Sequence, residues 1–217
     1  MTELGREFYT RDGLTVAREL IGKTLVHRTN GRELRGIITE TEAYMGVTDK
    51  ASHAYGGRRT QRTETMYLRG GHAYVYLIYG MYSCMNITAS TDGNPEAVLI
   101  RCAMPEGDTQ GILDNVRVTS RRKNLPERAE ELSPAELFGL TNGSGKLCNA
   151  MGITRGLNGT DMTSGNFTVM DEGWSAQEIL TLPRVGIDYA EEAAAFPWRF
   201  TAVCRNGVPL MTKKTLL

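Results

Sequence analysis

The sequence predicts one α+β domain around an antiparallel or mixed sheet. Short apolar runs with strand character interleave with short helical stretches along the chain. The run His72-Ala73-Tyr74-Val75-Tyr76-Leu77-Ile78-Tyr79 is aromatic and β-branched almost throughout, the composition of a pleated surface. Asn30-Gly31 and Asp92-Gly93-Asn94-Pro95 are turn sequences that join neighbouring runs. With 217 residues, 41% hydrophobic and 23% charged, the chain can bury a real core. No repeat, low-complexity block or linker divides it, so residues 1–217 read as a single domain.

In chain order, Thr10 or Asp12 can cap a helix whose apolar positions are Leu14, Ala17, Leu20 and Ile21, ended by Gly22. Thr24 to His27 reads as a strand. The Asn30-Gly31 turn leads to its partner, Leu34 to Tyr44. Residues 46–71 read as irregular and carry Arg58, Arg59, Arg62 and Arg69 against Glu64 alone. The aromatic strand follows, then strands at Met85–Thr88 and Ala97–Cys102. Thr109 to Arg128 reads as a basic helical region with Arg117, Arg121, Arg122 and Lys123. Ser133-Pro134-Ala135-Glu136 has capping-box spacing. Asn142 to Lys146 reads as a glycine-rich loop and Leu147 to Met151 as a helix. Phe167–Met170, Arg184–Ile187 and Trp198–Cys204 complete the strand candidates.

Several classes are disfavoured. Cys84, Cys102, Cys148 and Cys204 form no C-x-x-C pair, and His27, His53 and His72 are scattered, so no metal site is expected. Widely spaced cysteines suit reduced, mostly buried thiols in a cytosolic protein. The polar N-terminus does not read as a secretion signal, and no apolar run reaches the roughly 20 residues of a membrane span. Gly143-Ser144-Gly145-Lys146 fails the phosphate-loop spacing, and no G-x-S-x-G is present. Lys+Arg balances Asp+Glu at 25 each, so a polyanionic partner would need a local patch.

The unusual stretch is Thr39-Glu40-Thr41-Glu42-Ala43-Tyr44. Regular strand alternation places Ile38, Glu40, Glu42 and Tyr44 on one face. A face that buries Ile and Tyr should exclude carboxylates unless they are paired or used. An edge strand with its glutamates in water is the plain alternative. Tyr44, Tyr74, Tyr76 and Tyr79, with His53 and the arginine-rich loop beside them, suit nucleic acid: aromatic rings stack on bases and cations meet phosphates.

Taken together, Glu40–Tyr44, Ala51-Ser52-His53, Gly57–Thr60, Tyr74–Tyr82, Cys84-Met85-Asn86, Leu99-Ile100-Arg101, Lys146-Leu147-Cys148 and Pro197–Phe200 stand in an order and spacing that resemble the alkyladenine, or 3-methylpurine, DNA glycosylases. The resemblance runs from about Phe8 to about Phe200. It implies a mixed α/β domain with a curved antiparallel sheet, a protruding β-hairpin that enters the minor groove, and no metal or other cofactor. The implied partner is duplex DNA with damaged purines, met by a monomer in the bacterial cytoplasm or a eukaryotic nucleus. Glu42 is the implied general base, and Arg101 the arginine beside the catalytic water. Tyr44, His53 and Tyr76 are the implied pocket walls, with Ala51 and Leu99 lining, and Asn86 excludes the 2-amino group of guanine. Tyr79, with Met81 and Tyr82, would fill the gap left by the flipped nucleotide. Arg58, Thr60, Arg62 and Lys146 are the expected phosphate contacts, with the Arg117–Lys123 cluster adding to the local basic patch. Two departures from the family pattern, Ser144 where proline is expected and the ending Gly207–Met211, lie away from the pocket.

Chemistry supports the same division. Breaking an N-glycosidic bond develops positive charge on the sugar, and one carboxylate can activate water and stabilise that charge. A methylated, cationic purine leaves without a second acid and gains about 0.5–2 kcal/mol from aromatic faces. A base inside a duplex must be flipped out, and inserted side chains hold the stack open. Parity cannot choose between Glu40 and Glu42; only the resemblance favours Glu42. A catalytically silent nucleic-acid binder and an N-glycosidase of nucleosides or RNA are the competing readings.

Overall fold

The computed structural model describes residues 2–78, 80–119 and 124–213. In chain order its main elements are β1 (Thr2–Glu3), α1 (Arg6–Tyr9), α2 (Gly13–Glu19), β2 (Thr24–Thr29), β3 (Arg32–Tyr44), β4 (Ala73–Ile78), β5 (Tyr82–Ala89), β6 (Glu96–Gly107), α3 (Thr109–Thr119), α4 (Pro134–Gly139), α5 (Ser144–Ala150), β7 (Phe167–Asp171), β8 (Trp174–Ala176), β9 (Ile179–Leu182) and β10 (Arg199–Ala202). Short 3₁₀ turns fill the stretch between β3 and β4. Among the described residues, the main sheet has the order β1-β7-β2-β3-β6-β5-β4, with β10 on β3 and β9 on β10. All its pairings are antiparallel.

The strand β3 is long enough to need two partners on one edge. Its first half, Arg32–Ile37, pairs with β2, and Glu40–Glu42 pairs with β10. The β2–β3 hairpin closes through Asn30 and Gly31 with φ of 51° and 73°, the left-handed pair that such a tight turn requires. On the other edge β6 follows β3 along most of its length, but the register shifts twice: Thr39 has no counterpart on β6, and Arg101 has none on β3. Each extra residue resets which side chains face which way. Ile38 therefore joins the main core with Ala43, Ile100 and Ala103, while Glu42 and Tyr44 line a cavity on the opposite face. The expectation that Ile38 shares a face with Glu40, Glu42 and Tyr44 is corrected, and the bulge at Thr39 is the reason.

Helix α2 covers the core face. Asp12 caps it by accepting from the Thr15 amide at 3.0 Å. Val16, Ala17 and Leu20 are wholly buried against the sheet, and the Thr41 hydroxyl donates to the Ala17 carbonyl at 2.7 Å. The capping box at Ser133 is formed, with Glu136 as its second member. Three expectations change. Arg184–Ile187 is irregular, not a strand. Helix α3 ends at Thr119 within the described residues, and Asn124–Arg128 is not helical, in keeping with Pro126. Arg121, Arg122 and Lys123 lie outside the described residues, as does Tyr79. Ser144, Gly145 and Lys146 form the first turn of α5, not a loop. Gly143, at φ +126°, makes the bend into α5, and Ser144 occupies the first helical position, where a proline would also fit. Cys84, Cys102 and Cys148 are buried, Cys204 is exposed, and all four are free thiols. Among the described residues, no helix is long and apolar enough to cross a membrane.

Candidate active site

Strand pairing builds one wall of a cavity of about 240 Å³. Glu42 on β3 stands opposite Leu99 on β6, Leu99 opposite Asn86 on β5, and Asn86 opposite Tyr74 on β4. Directly opposed residues share a face, so these four form one row, roughly 14 Å long at the usual strand spacing. Tyr44, Arg101, Cys84 and Tyr76 flank that row. The second wall comes from two loops: Ala51 and His53 after β3, and Val185 to Tyr189 after β9. A site of this size is smaller than the few hundred Å³ of common drug-sized pockets and suits a single flat heterocycle.

The two glutamates differ sharply. Glu40 accepts from Arg101 Nε at 3.1 Å, Arg199 Nη1 at 2.9 Å and the Cys102 thiol at 2.9 Å. Burial alone would push its pKa up, but the Cys102 hydrogen bond and the charges of Arg101 and Arg199 hold it below the usual carboxylate range. Glu42 has a fully buried side chain. Its Oε1 accepts from the Val185 amide at 2.9 Å and lies 3.5 Å from Arg101 Nη1, and its Oε2 accepts from the Tyr44 hydroxyl at 2.9 Å. Here burial wins: it raises the Glu42 pKa, with Arg101 and these hydrogen bonds offsetting only part. Glu40 is a neutralised ion-pair partner, whereas Glu42 is a carboxylate with raised basicity facing the cavity. Arg101 touches both, because it is the bulged residue of β6.

The aromatic part is also fixed. His53 Nδ1 is 2.9 Å from the Tyr74 hydroxyl, and its ring meets Tyr76 edge-on at 4.7 Å between centroids. Burial, then the charges of Arg62 and Arg58, lower the His53 pKa to about 4, so the ring is neutral at pH 7. Asn86 is buried, and its Nδ2 donates to the Tyr74 carbonyl at 3.1 Å. Ala51 and Leu99 line the cavity, and so does Ser144, 3.5 Å from Cys84 Sγ; the expectation that Ser144 lies away from the pocket is corrected, because the first turn of α5 packs against the β5 wall. Met81 and Tyr82 are exposed, 65% and 44%, at the tip of the β4–β5 hairpin. Arg58, Thr60, Arg62 and Lys146 are all exposed. Arg62 also lies over the Tyr76 ring at 5.0 Å. Arg59, the arginine between them, is instead neutralised by Glu64 at 2.6 Å.

Sequence reasoning missed the pair that holds the loop wall. Arg184 and Asp49 have fully buried side chains and meet at 2.5 Å and 2.8 Å through two parallel hydrogen bonds. Arg184 donates to the Ala43 carbonyl at 2.9 Å and lies between the Tyr44 and Trp198 rings at 4.8 and 4.9 Å. Asp49 accepts from the Met45 and Ala51 amides, each at 3.0 Å. One ion pair thus ties the end of β3, the Ala51 loop and the residue preceding Val185. The partners are 135 positions apart, and no spacing rule joins them. Cys84 and Tyr74 are further wall residues, although the resemblance gave them no pocket role of their own. Among the described residues, no group of three His, Cys, Asp or Glu is disposed to hold a metal ion.

A single buried carboxylate at the base of an aromatic slot can deprotonate water beside a flat, electron-poor ring. The site is of the kind found in hydrolases that act on heterocycles. Residues 7–205 match the model of methylpurine-DNA glycosylases, and the chain belongs to that family. It is a DNA glycosylase, a hydrolase of N-glycosyl bonds in base-excision repair. Its relatives include a protein of Desulfitobacterium hafniense, 47% identical over 92% of this chain and 95% of its own length. One of Clostridium acetobutylicum is 49% identical over 97% and 99%, and one of Clostridium perfringens 49% identical over 91% and 94%. Each is named "Putative 3-methyladenine DNA glycosylase".

Proposed function

We propose that this enzyme flips alkylated or deaminated purines, of the 3-methyladenine, 7-methylguanine, hypoxanthine and ethenoadenine class, out of duplex DNA and hydrolyses the N-glycosidic bond. The observation that carries this is Glu42: fully buried, raised in pKa by that burial, and facing a cavity walled by Tyr44, Tyr76 and His53. Glu42 takes a proton from water, and its negative charge stabilises the sugar cation as the base departs. Arg101, in contact with Glu42, keeps part of that carboxylate ionised and orients it toward the water. Tyr44 and Tyr76 offer ring faces to the base. Asn86, held by its bond to the Tyr74 carbonyl, cannot swing aside for a guanine 2-amino group. Met81 and Tyr82, at the β4–β5 turn, fill the space the nucleotide leaves together with Tyr79, the residue the family resemblance assigns to that role.

Among the described residues lining the cavity there is no lysine to attack the sugar, so the product is an abasic site with its strand intact. Of the implied phosphate contacts, Arg58, Arg62 and Lys146 have no acidic partner among the described residues, which supplies a local patch despite balanced net charge. Incubation with duplexes carrying hypoxanthine, ethenoadenine or 7-methylguanine tests the proposal. Abasic sites form and are cut only after alkali or a lyase is added. Folded enzyme that releases no base from any of the three sinks the reading, and nicking without additions sinks its monofunctional part.

A further inference from the structure

A second cleft lies behind the tyrosine strand. It has a volume of about 450 Å³ and shares Arg62 and Tyr76 with the base cavity. Its other charged side chain is Arg155, with Gln61 and the edge of β4 completing it. We propose that this cleft binds a backbone phosphodiester of the DNA strand, with Arg62 and Arg155 as a pair of guanidinium clamps. The proposal rests on the reading of the chain as a duplex-DNA enzyme.

Charge is the first argument. Most arginines of the described residues are neutralised: Arg6, Arg11, Arg28, Arg32, Arg35, Arg59, Arg101, Arg128, Arg184 and Arg199 all meet carboxylates. Arg62 and Arg155 meet none among the described residues, and no Asp or Glu lines the cleft. Two unneutralised guanidiniums facing one hollow repel each other unless an anion joins them. Their planar forks match phosphate oxygens.

The sheet edge is the second argument. β4 is the outermost strand on its side. Ala73 and Val75 turn their amides outward, to the Thr160 carbonyl and to Asn158 Oδ1 at 2.9 and 3.0 Å. Antiparallel strands alternate such outward groups every second residue. Leu77, the next in that series, lines the cleft, so alternation turns its amide outward as a backbone donor there. The loop carrying Arg155 is pinned to this edge. Asn158 Nδ2 donates to Thr65 Oγ1 at 3.0 Å, and the Gly159 amide donates to the Ala73 carbonyl at 2.8 Å. Arg155 is thus presented by a fixed support. The site begins next to the hairpin tip, where a strand leaving the base cavity would run. A phosphate, not a second base, is the fitting ligand, because Tyr76 is the one aromatic residue of the lining and its ring already carries Arg62.

The test measures duplex affinity between about 50 and 200 mM salt, the range over which counterion release is visible. The proteins are the wild type, Arg155→Ala, Arg155→Lys and Arg205→Ala. Arg205 is exposed and belongs to no cleft described above, so its variant reports the effect of losing any one positive charge. Arg155→Ala weakens binding about tenfold at the low-salt end, the size of one charged hydrogen bond. It also lowers the slope of log Kd against log salt by about 0.9, one phosphate's worth. Arg155→Lys keeps the slope, and Arg205→Ala matches the wild type. An unchanged slope in Arg155→Ala overturns the proposal, as does an equal loss in Arg205→Ala. Base release by the wild type is assayed in the same samples. Binding with the expected slope change but no base release refutes the glycosylase reading alone, and release with an unchanged slope refutes the cleft alone.

Discussion

The sheet side of the cavity and its loop side are held by different forces. On the sheet side, Glu42, Leu99, Asn86 and Tyr74 sit in one row because four strands are in register. Each backbone hydrogen bond there is local and replaceable, and loss of one side chain leaves the row standing. On the loop side, Ala51 and Val185 have no ladder beneath them. Their placement rests largely on Asp49 and Arg184, a single buried ion pair that also takes the Met45 and Ala51 amides and the Ala43 carbonyl. The loop wall also supplies the Val185 amide that bonds Glu42. The proposed base, Glu42, therefore belongs to the robust wall while one of its donors belongs to the fragile one. Damage to the two walls should differ in kind: chemistry alone on the sheet side, stability and chemistry together on the loop side.

The largest effect falls on the sheet side. Glu42→Gln removes the base but keeps the shape and the hydrogen-bond length, so excision drops on the order of 10²–10⁴-fold in single-turnover assays while the unfolding midpoint holds. Glu40→Gln is the matched comparison. It takes an acceptor from Arg101 and Arg199 but leaves the cavity carboxylate in place, so its loss is much the smaller. If Glu40→Gln abolishes excision and Glu42→Gln does not, the two roles are exchanged.

The loop side is broken by Arg184→Met. Asp49 is then a buried charge with no partner, a situation that costs about 3–5 kcal/mol. Urea unfolding should show that loss as a lower midpoint with little change in slope. Asp49→Asn in the same chain removes the stranded charge and recovers part of it. A midpoint unchanged by Arg184→Met would mean that the ion pair is incidental to the wall.

Much of the sheet wall is legible in the sequence, and little of the loop wall. Tyr74 and Tyr76 announce a strand by type and spacing, and the Asn30-Gly31 turn fixes the hairpin ahead of Glu42. Even there, simple alternation fails at Thr39. A bulge leaves no sequence signature, so Ile38 looked like a neighbour of the glutamates when it faces the opposite way. Choosing between Glu40 and Glu42 needs the environment: three donors on one, a desolvated cavity around the other. Arg184 sits in a run that reads as a strand, Arg184-Val185-Gly186-Ile187, and only the fold brings Asp49 to it.

Proton uptake sharpens the comparison further. As the proposed base, Glu42 works only when ionised, and burial raises its pKa. Excision therefore falls as pH drops through that raised value, giving an acid limb above the ordinary glutamate range of about 4.3. Arg101 lowers the same pKa from the other direction. Arg101→Gln should move the acid limb toward alkaline pH, and a rate–pH profile reads it directly. Burial and the charges of Arg62 and Arg58 hold the His53 pKa at about 4, below that limb. An acid limb that stays in place in Arg101→Gln would detach Arg101 from Glu42.

The smallest effect concerns the ring faces. Tyr76→Leu keeps an apolar wall but removes the quadrupole that a cationic base would meet. For 7-methylguanine, positively charged, the loss is worth about 0.5–2 kcal/mol, or roughly two- to thirtyfold. Hypoxanthine carries no charge and should lose less, so the ratio of the two excision rates falls in the variant. Arg62 complicates the size of the change, because its guanidinium lies 5.0 Å over the same ring and competes for its electrons. Removing that competitor with Arg62→Ala should therefore raise the 7-methylguanine preference even as duplex binding weakens. The two variants move the lesion ratio in opposite directions if the ring face recognises charge. If both leave the ratio unchanged, Tyr76 acts by shape alone and cationic lesions are favoured only by their weaker bond.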